Sequence, residues 1–419
     1  MGVNFFTDIL SSLLDRAPGL TRRSADDSQP LESLCAGLLS SRGEISGMSL
    51  AQSILDRYAG LDDAGKRAFF AYLGTALDVP SDAALTALKM YQSDPTAAHY
   101  ESLINAVEPP RLQLIRRLNQ SHDATARLVS MRADLIGMLK TAPELARLDV
   151  DFKHLFISWF NRGFLVLRPI SWSSPAHILE KIITYESVHA IQSWDDLRRR
   201  LQPADRRCFA FFHPAMPDEP LIFVEVALTR GIPSSVQDIL ADNRTAMAAS
   251  DADTAAFYSI SNCQAGLAGI SFGNSLIKTV VQNLLRELPQ IRTFVTLSPI
   301  PGLMSWLSDT GHDDKLANAD SAPGLAAYYL LHAKHRNGQP LDSVARFHLN
   351  NGASVAALHG KADISTKGMA QSSGVMVNYL YDLTKIGDNH EAFANQHTVI
   401  ADKSVRLLAN TAGIDNETG

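Results

Sequence analysis

Ser298 and His348 are the side chains whose setting points most clearly to chemistry. Ser298 follows an extended run at 293–297 and is locked by the turn Pro299-Ile300-Pro301-Gly302. His348 falls in the apolar run 344–349, which reads as a strand ending at Asn350-Asn351-Gly352-Ala353. Active sites of α/β layers collect at the carboxyl ends of strands, so a hydroxyl and an imidazole there can face one ligand. A lone histidine before an Asn-Gly turn is also an ordinary structural residue. Between residues 255 and 302 the order is strand, glycine loop (Gly266, Gly269, Gly273), helix and strand. The helix is marked by Leu276, Ile277, Val280, Val281, Leu284, Leu285 and Leu288 on one face, with Pro289 as its stop. Unpaired N–H groups and the positive dipole end of such a helix suit a diphosphate. The loop matches neither the P-loop nor the dinucleotide GxGxxG spacing, and glycines that only serve tight turns fit it equally well.

Two further clusters carry less. His332 and His335 share one predicted helix at i, i+3, but no third ligand stands at metal spacing, so no metal is expected. Arg198, Arg199, Arg200, Arg206 and Arg207 suit either an acidic ligand such as a nucleotide 3′-phosphate or a solvated helix end.

These residues need a scaffold, and 419 residues are enough for two or three domains with real cores. A net charge of −6 argues against a general nucleic-acid binder. Three widely spaced cysteines form neither a disulfide framework nor a zinc pattern, which suits a reducing compartment and a cytoplasmic location. No apolar run reaches the roughly 18 residues of a membrane span. Residues 1–16 read as a short amphipathic helix rather than a signal peptide, and 17–30 as a polar link.

Helical patterns at 49–58, 62–77, 81–91, 95–106, 111–118 and 124–139 make the first part of the chain all-α, with no catalytic constellation. The arginines recurring between 127 and 147 read as a solvated helix face. After Trp159 the pattern becomes mixed. Strands are expected at 164–167, 208–213 and 221–228, the last two as a hairpin. Helices are expected at 195–201, 232–250 and 323–334, with an extended run at 378–383. The fold class is therefore two-domain α+β: an all-α helical bundle at 1–160 and an α/β domain at 161–419.

The chain resembles the malonyl-CoA decarboxylase family. The resemblance rests on Trp159-Phe160-Asn161-Arg162-Gly163-Phe164-Leu165, Phe257-Tyr258-Ser259-Ile260-Ser261, Gly266-Leu267-Ala268-Gly269, Leu297-Ser298-Pro299-Ile300-Pro301-Gly302, Phe347-His348-Leu349-Asn350-Asn351-Gly352-Ala353 and Asn378-Tyr379-Leu380-Tyr381. It implies a helical domain for oligomer contacts, as a homodimer or homotetramer, and a GNAT-type acyltransferase-like catalytic domain. It also implies Ser298, His348 and Tyr381 as the catalytic group. Coenzyme A would lie along Ala268, Gly269, Ile270, Ser271, Phe272, Gly273 and Asn274, and malonyl-CoA would be the substrate. Animal members carry a glutamate where this chain has Ser271, which therefore receives no catalytic role. The thioester is itself an electron sink, so no cofactor is expected beyond the coenzyme A of the substrate. An acyltransferase on the same fold, and an acyl-CoA sensor without turnover, are the competing expectations.

Overall fold

The computed structural model describes residues 29–41, 43–270, 276–317 and 321–414. The expected helix at 1–16 and most of the link at 17–30 lie outside them, as do Ser271, Phe272, Gly273 and Asn274. The chain divides into two compact units, Met1–Leu155 and Phe156–Gly419, and the division falls inside the helix Ala146–Trp159.

The first unit is helical throughout the described residues. Its helices are Leu31–Ser40, Glu44–Ala59, Asp63–Thr75, Ser81–Ser93, Ala97–Val107, Pro110–Leu118, Ala124–Met138 and the start of Ala146–Trp159. Leu34, Ile54, Phe70, Leu114, Leu128 and Leu135 form its core. Arg132 departs from the solvated face expected for its stretch. It is fully buried, and its Nε donates to Asp149 Oδ1 at 2.8 Å. A buried guanidinium needs such a partner, and Asp149 lies on the next long helix, where residue periodicity along one helix does not reveal it.

The second unit is built on a mixed sheet. Its strands are β1 (Val166–Ile170), β2 (Arg206–Phe212), β3 (Ile222–Thr229), β4 (Thr254–Asn262), β5 (Thr293–Thr296), β6 (Ser298–Pro299), β7 (Ser354–His359) and β8 (Met376–Leu380). β1 to β4 pair antiparallel in chain order, β4 and β5 pair parallel, and β8 runs antiparallel to β5, β6 and β7. β3 is buried along nearly its whole length. On one face Ile178, Leu179 and Ile182 of helix Ala176–Tyr185 and Leu197 and Leu201 of helix Trp194–Leu201 pack with Ala210, Phe212 and Phe223. The strand–glycine loop–helix–strand order is present, and the unit is a mixed α/β layer with a helical region ahead of it in the chain.

Two local expectations fail. Residues 232–250 are α-helical only at Val236–Leu240, with a 3-10 turn beginning at Ala249. The rest is held as a loop by the Asp205 carboxylate, which accepts from Arg244 Nη1 at 2.7 Å and from the Met247 N–H at 3.0 Å. Tertiary hydrogen bonds here override the helix propensity of alanine. Residues 344–349 form no strand; they belong to the helix Ser343–Asn350. Asp342 caps it by accepting from the Ala345 N–H at 2.8 Å, and Gly352 ends it at φ +81°. The Asn-Gly pair is thus a helix stop rather than a strand turn.

Candidate active site

The site arises where two parallel strands part. β4 and β5 pair from Thr254↔Thr293 to Phe257↔Thr296, and the Leu297 N–H then reaches the Phe257 carbonyl at 2.9 Å. Beyond that point the chain continues as β6 along β8, with Ser298 opposite Val377. A cleft of about 230 Å³ opens between the diverging ends. Its lining includes Tyr258, Ile260 and Asn262 from β4, Ser298 and Pro299 from β6, and Val344, Phe347 and His348 from the capped helix. A register shift between Glu225 and Val226 makes Tyr258 an extra residue in β4, and a bulge of this kind re-aims a strand beside a site.

Three of the expected residues meet here. Ser298 Oγ lies 3.1 Å from His348 Nε2, and His348 Nδ1 lies 2.8 Å from the Tyr381 hydroxyl. Ser298 comes from β6, His348 from the helix Ser343–Asn350, and Tyr381 from just past β8, where its N–H donates to the Phe294 carbonyl at 2.9 Å. The imidazole lies against the Tyr379 ring, with centroids 4.5 Å apart and planes 22° from parallel. All four side chains are buried.

Burial sets the electrostatics. It pushes the His348 imidazole down to about 3, so the ring is neutral near pH 7. It pushes the Tyr381 phenol up, so that hydroxyl keeps its proton and can donate to Nδ1. Asp342, behind the helix start, is also raised by burial. No lysine, arginine, aspartate or glutamate stands among the described residues lining the cleft. The site thus offers a serine hydroxyl and a neutral imidazole to a ligand in a poorly solvated, uncharged cleft. Such a constellation can donate hydrogen bonds to a developing oxyanion and move one proton.

The other sequence candidates lie elsewhere. In the glycine loop, Gly269 takes φ +73°, a conformation that suits glycine alone, and Ile270 is buried. The helix Leu276–Glu287 that follows buries Leu276, Ile277, Val280, Val281 and Leu284, the face read from its periodicity. The arginines are engaged within the fold. Arg200 reaches the His189 carbonyl at 2.8 Å and Glu225 Oε2 at 3.3 Å, Arg199 pairs with Asp242 at 2.9 Å, and Arg207 Nε donates to Glu287 at 2.9 Å. His332 ends its helix, while His335 lies outside it, its Nε2 2.8 Å from Arg346 Nη1.

Thr296 and Tyr379 are contributors to which the sequence reading gives no role, although Tyr379 falls in a segment that carries the resemblance. Both stand two residues from a recognised partner, Thr296 before Ser298 and Tyr379 before Tyr381, so the two-residue period of an extended chain was the available signal.

Comparison with known proteins follows the same division of the chain. The sequence profile described as "Malonyl-CoA decarboxylase C-terminal domain" matches residues 163–323 and 312–418, and the one described as "Malonyl-CoA decarboxylase N-terminal domain" matches residues 79–160. The mitochondrial malonyl-CoA decarboxylase of the goose Anser anser anser is 36% identical over 344 residues, covering 70% of this chain and 68% of that protein. The mitochondrial enzyme of Mus musculus is 33% identical over 359 residues, covering 72% of each. Among solved structures, the malonyl-CoA decarboxylase of Rhodopseudomonas palustris superposes with a TM-score of 0.86 at 48% identity, covering 90% of this chain and 98% of that one. The Cupriavidus metallidurans enzyme superposes with a TM-score of 0.72 at 36% identity, with the same coverage.

Proposed function

The chain belongs to the malonyl-CoA decarboxylase family, and we propose that Ser298 and His348 carry the carboxy-lyase reaction, malonyl-CoA to acetyl-CoA and CO₂. The bond between C2 and the carboxylate carbon breaks, and its electron pair becomes the enolate of the thioester. His348 donates from Nε2 to the thioester oxygen, where the negative charge develops, and supplies the proton that C2 takes up. The Tyr381 hydroxyl meanwhile passes its proton to Nδ1, so that the ring stays neutral, and solvent restores the phenol after turnover. Ser298 orients the carboxylate or relays that proton. A neutral imidazole suits this work because it donates a hydrogen bond without presenting a cation to the carboxylate. An uncharged cleft offers that carboxylate little stabilisation and so favours its departure as neutral CO₂. Tyr381 holds Nδ1 and thereby the orientation of the ring.

The observation that carries this reading is the Ser298–His348 contact at 3.1 Å on the lining of an uncharged cleft. In our reading the coenzyme A diphosphate lies on the glycine loop, along Ala268–Asn274, ahead of the helix Leu276–Glu287. The thioester supplies the electron sink, so the reaction needs no metal and no separate cofactor.

We assign self-association, as a homodimer or homotetramer, to the helical unit. Its helices Ser81–Ser93 and Ala97–Val107 pair with each other and leave Leu85, Met90, Tyr100, Ile104 and Val107 exposed, an apolar surface that a second copy would cover. The three cysteines are free and buried, in keeping with a reducing compartment such as the cytoplasm. The deciding experiment supplies malonyl-CoA with no acceptor and quantifies products. Equal amounts of CO₂ and acetyl-CoA are expected, whereas binding without product would refute the reading.

A further inference from the structure

The hydrogen bonds beyond Ser298 have a direction that the chemistry requires and that one further residue controls. Ser298 Oγ donates to Thr296 Oγ1 at 2.8 Å. Thr296 Oγ1 also accepts from the Tyr379 N–H at 3.2 Å, and the Thr296 carbonyl accepts from Asn378 Nδ2 at 2.7 Å. Thr296 is fully buried and does not line the cleft, so it meets the substrate only through Ser298.

A serine hydroxyl has one proton to give. In the ligand-free site it goes to Thr296, so Ser298 can meet His348 only as an acceptor and Nε2 must carry the imidazole proton. A bound carboxylate would then draw the Ser298 proton from Thr296 with His348 already in this tautomer. Nδ1 is then the bare nitrogen and accepts from Tyr381, which matches the 2.8 Å contact on that side. When Thr296 is not there to accept, the Ser298 proton turns to Nε2, the imidazole proton moves to Nδ1, and every bond in the chain reverses. We infer that Thr296 is a positioning residue that fixes His348 in the Nε2–H tautomer, presenting a donor rather than a lone pair to the cleft. This rests on the role proposed above for His348.

The test uses the full chain labelled with ¹⁵N-histidine. Long-range ¹H–¹⁵N correlation spectra distinguish protonated from bare ring nitrogens, and a His348→Gln sample assigns the signals. Wild type is expected to show Nε2–H, and Thr296→Val to show Nδ1–H. In Thr296→Val, kcat should fall about tenfold, the worth of one well-placed hydrogen bond, with KM within about twofold. Thr296→Ser should restore both the tautomer and kcat, which a packing role for the threonine methyl would not. An Nδ1–H wild type, or Nε2–H retained in Thr296→Val, overturns the inference. Should Thr296→Val fail to fold, the wild-type and Thr296→Ser spectra still decide, with Nε2–H expected in both and Nδ1–H in either overturning it. The tautomer is read without turnover. A tautomer switch with unchanged kcat would therefore uphold the positioning role and overturn the catalytic reading instead.

Discussion

Acid should leave the chemistry of this site intact over a range where an ordinary histidine would be lost. The perturbation is pH, lowered from 7.5 to 5 at constant ionic strength. Burial holds His348 at about 3, so at pH 5 only about 1% of it is protonated, against roughly 97% for a histidine at its usual 6.5. With the neutral imidazole as the working form, kcat/KM should change less than about twofold across the window, where an unperturbed histidine would cost about 30-fold. The substrate carboxylate stays ionised throughout this range. The window ends at 7.5 because burial pushes the Glu225 carboxyl up to about 8. Stability has a separate sign. The folded pKa of His348 lies below its unfolded value, so its contribution is complete above about 6.5 and is lost as pH falls toward 3. By pH 5 the loss is about 2 kcal/mol, so circular dichroism at each pH must accompany the rates. Chromatographic separation of malonyl-CoA from acetyl-CoA gives the rates without coupling enzymes. An acid limb of one proton with its midpoint near 6.5, in protein that remains folded, would show that the working imidazole titrates as an exposed histidine does.

Three other outcomes are expected. Gly269→Val should raise KM for malonyl-CoA at least about tenfold, because valine is strained at φ +73° and stands where the diphosphate would approach; inhibition by free coenzyme A as strong as in the parent would refute this. Tyr381→Phe should lower the stability measured by urea unfolding by about 1–3 kcal/mol and reduce kcat, since it leaves Nδ1 buried without its donor; unchanged kcat would remove Tyr381 from the account. Ile104→Glu combined with Leu85→Lys should reduce the subunit number seen by light scattering while leaving the fold intact, and an unchanged mass would show that this helical pair is not the contact.

The site was legible where local pattern and chemistry coincide. The Ser-Pro-Ile-Pro-Gly run placed Ser298 at the end of an extended segment, and apolar spacing over 276–288 gave both the helix after the glycine loop and its buried face. His348 was found in the wrong element. Val344 and Phe347 suggested a strand, whereas the Asp342 cap and the left-handed Gly352 make the segment a helix that carries the imidazole into the cleft. The cleft itself was beyond local reading, because it depends on β4 and β6 separating after Leu297, a matter of which strand β8 pairs with. Thr296 and the stacked Tyr379 escaped for a related reason. Tyr379 acts by stacking on His348 across the fold, Thr296 by accepting from Ser298 two residues on, and neither residue type announces such a role by itself.

The central claim, that Ser298 and His348 perform the decarboxylation, is tested most directly by kcat for His348→Ala measured beside its coenzyme A affinity by calorimetry. Loss of a positioned donor and proton source predicts that kcat falls at least about 10²-fold while the Kd for coenzyme A stays within about threefold. Near-wild-type turnover in a folded His348→Ala protein would contradict it.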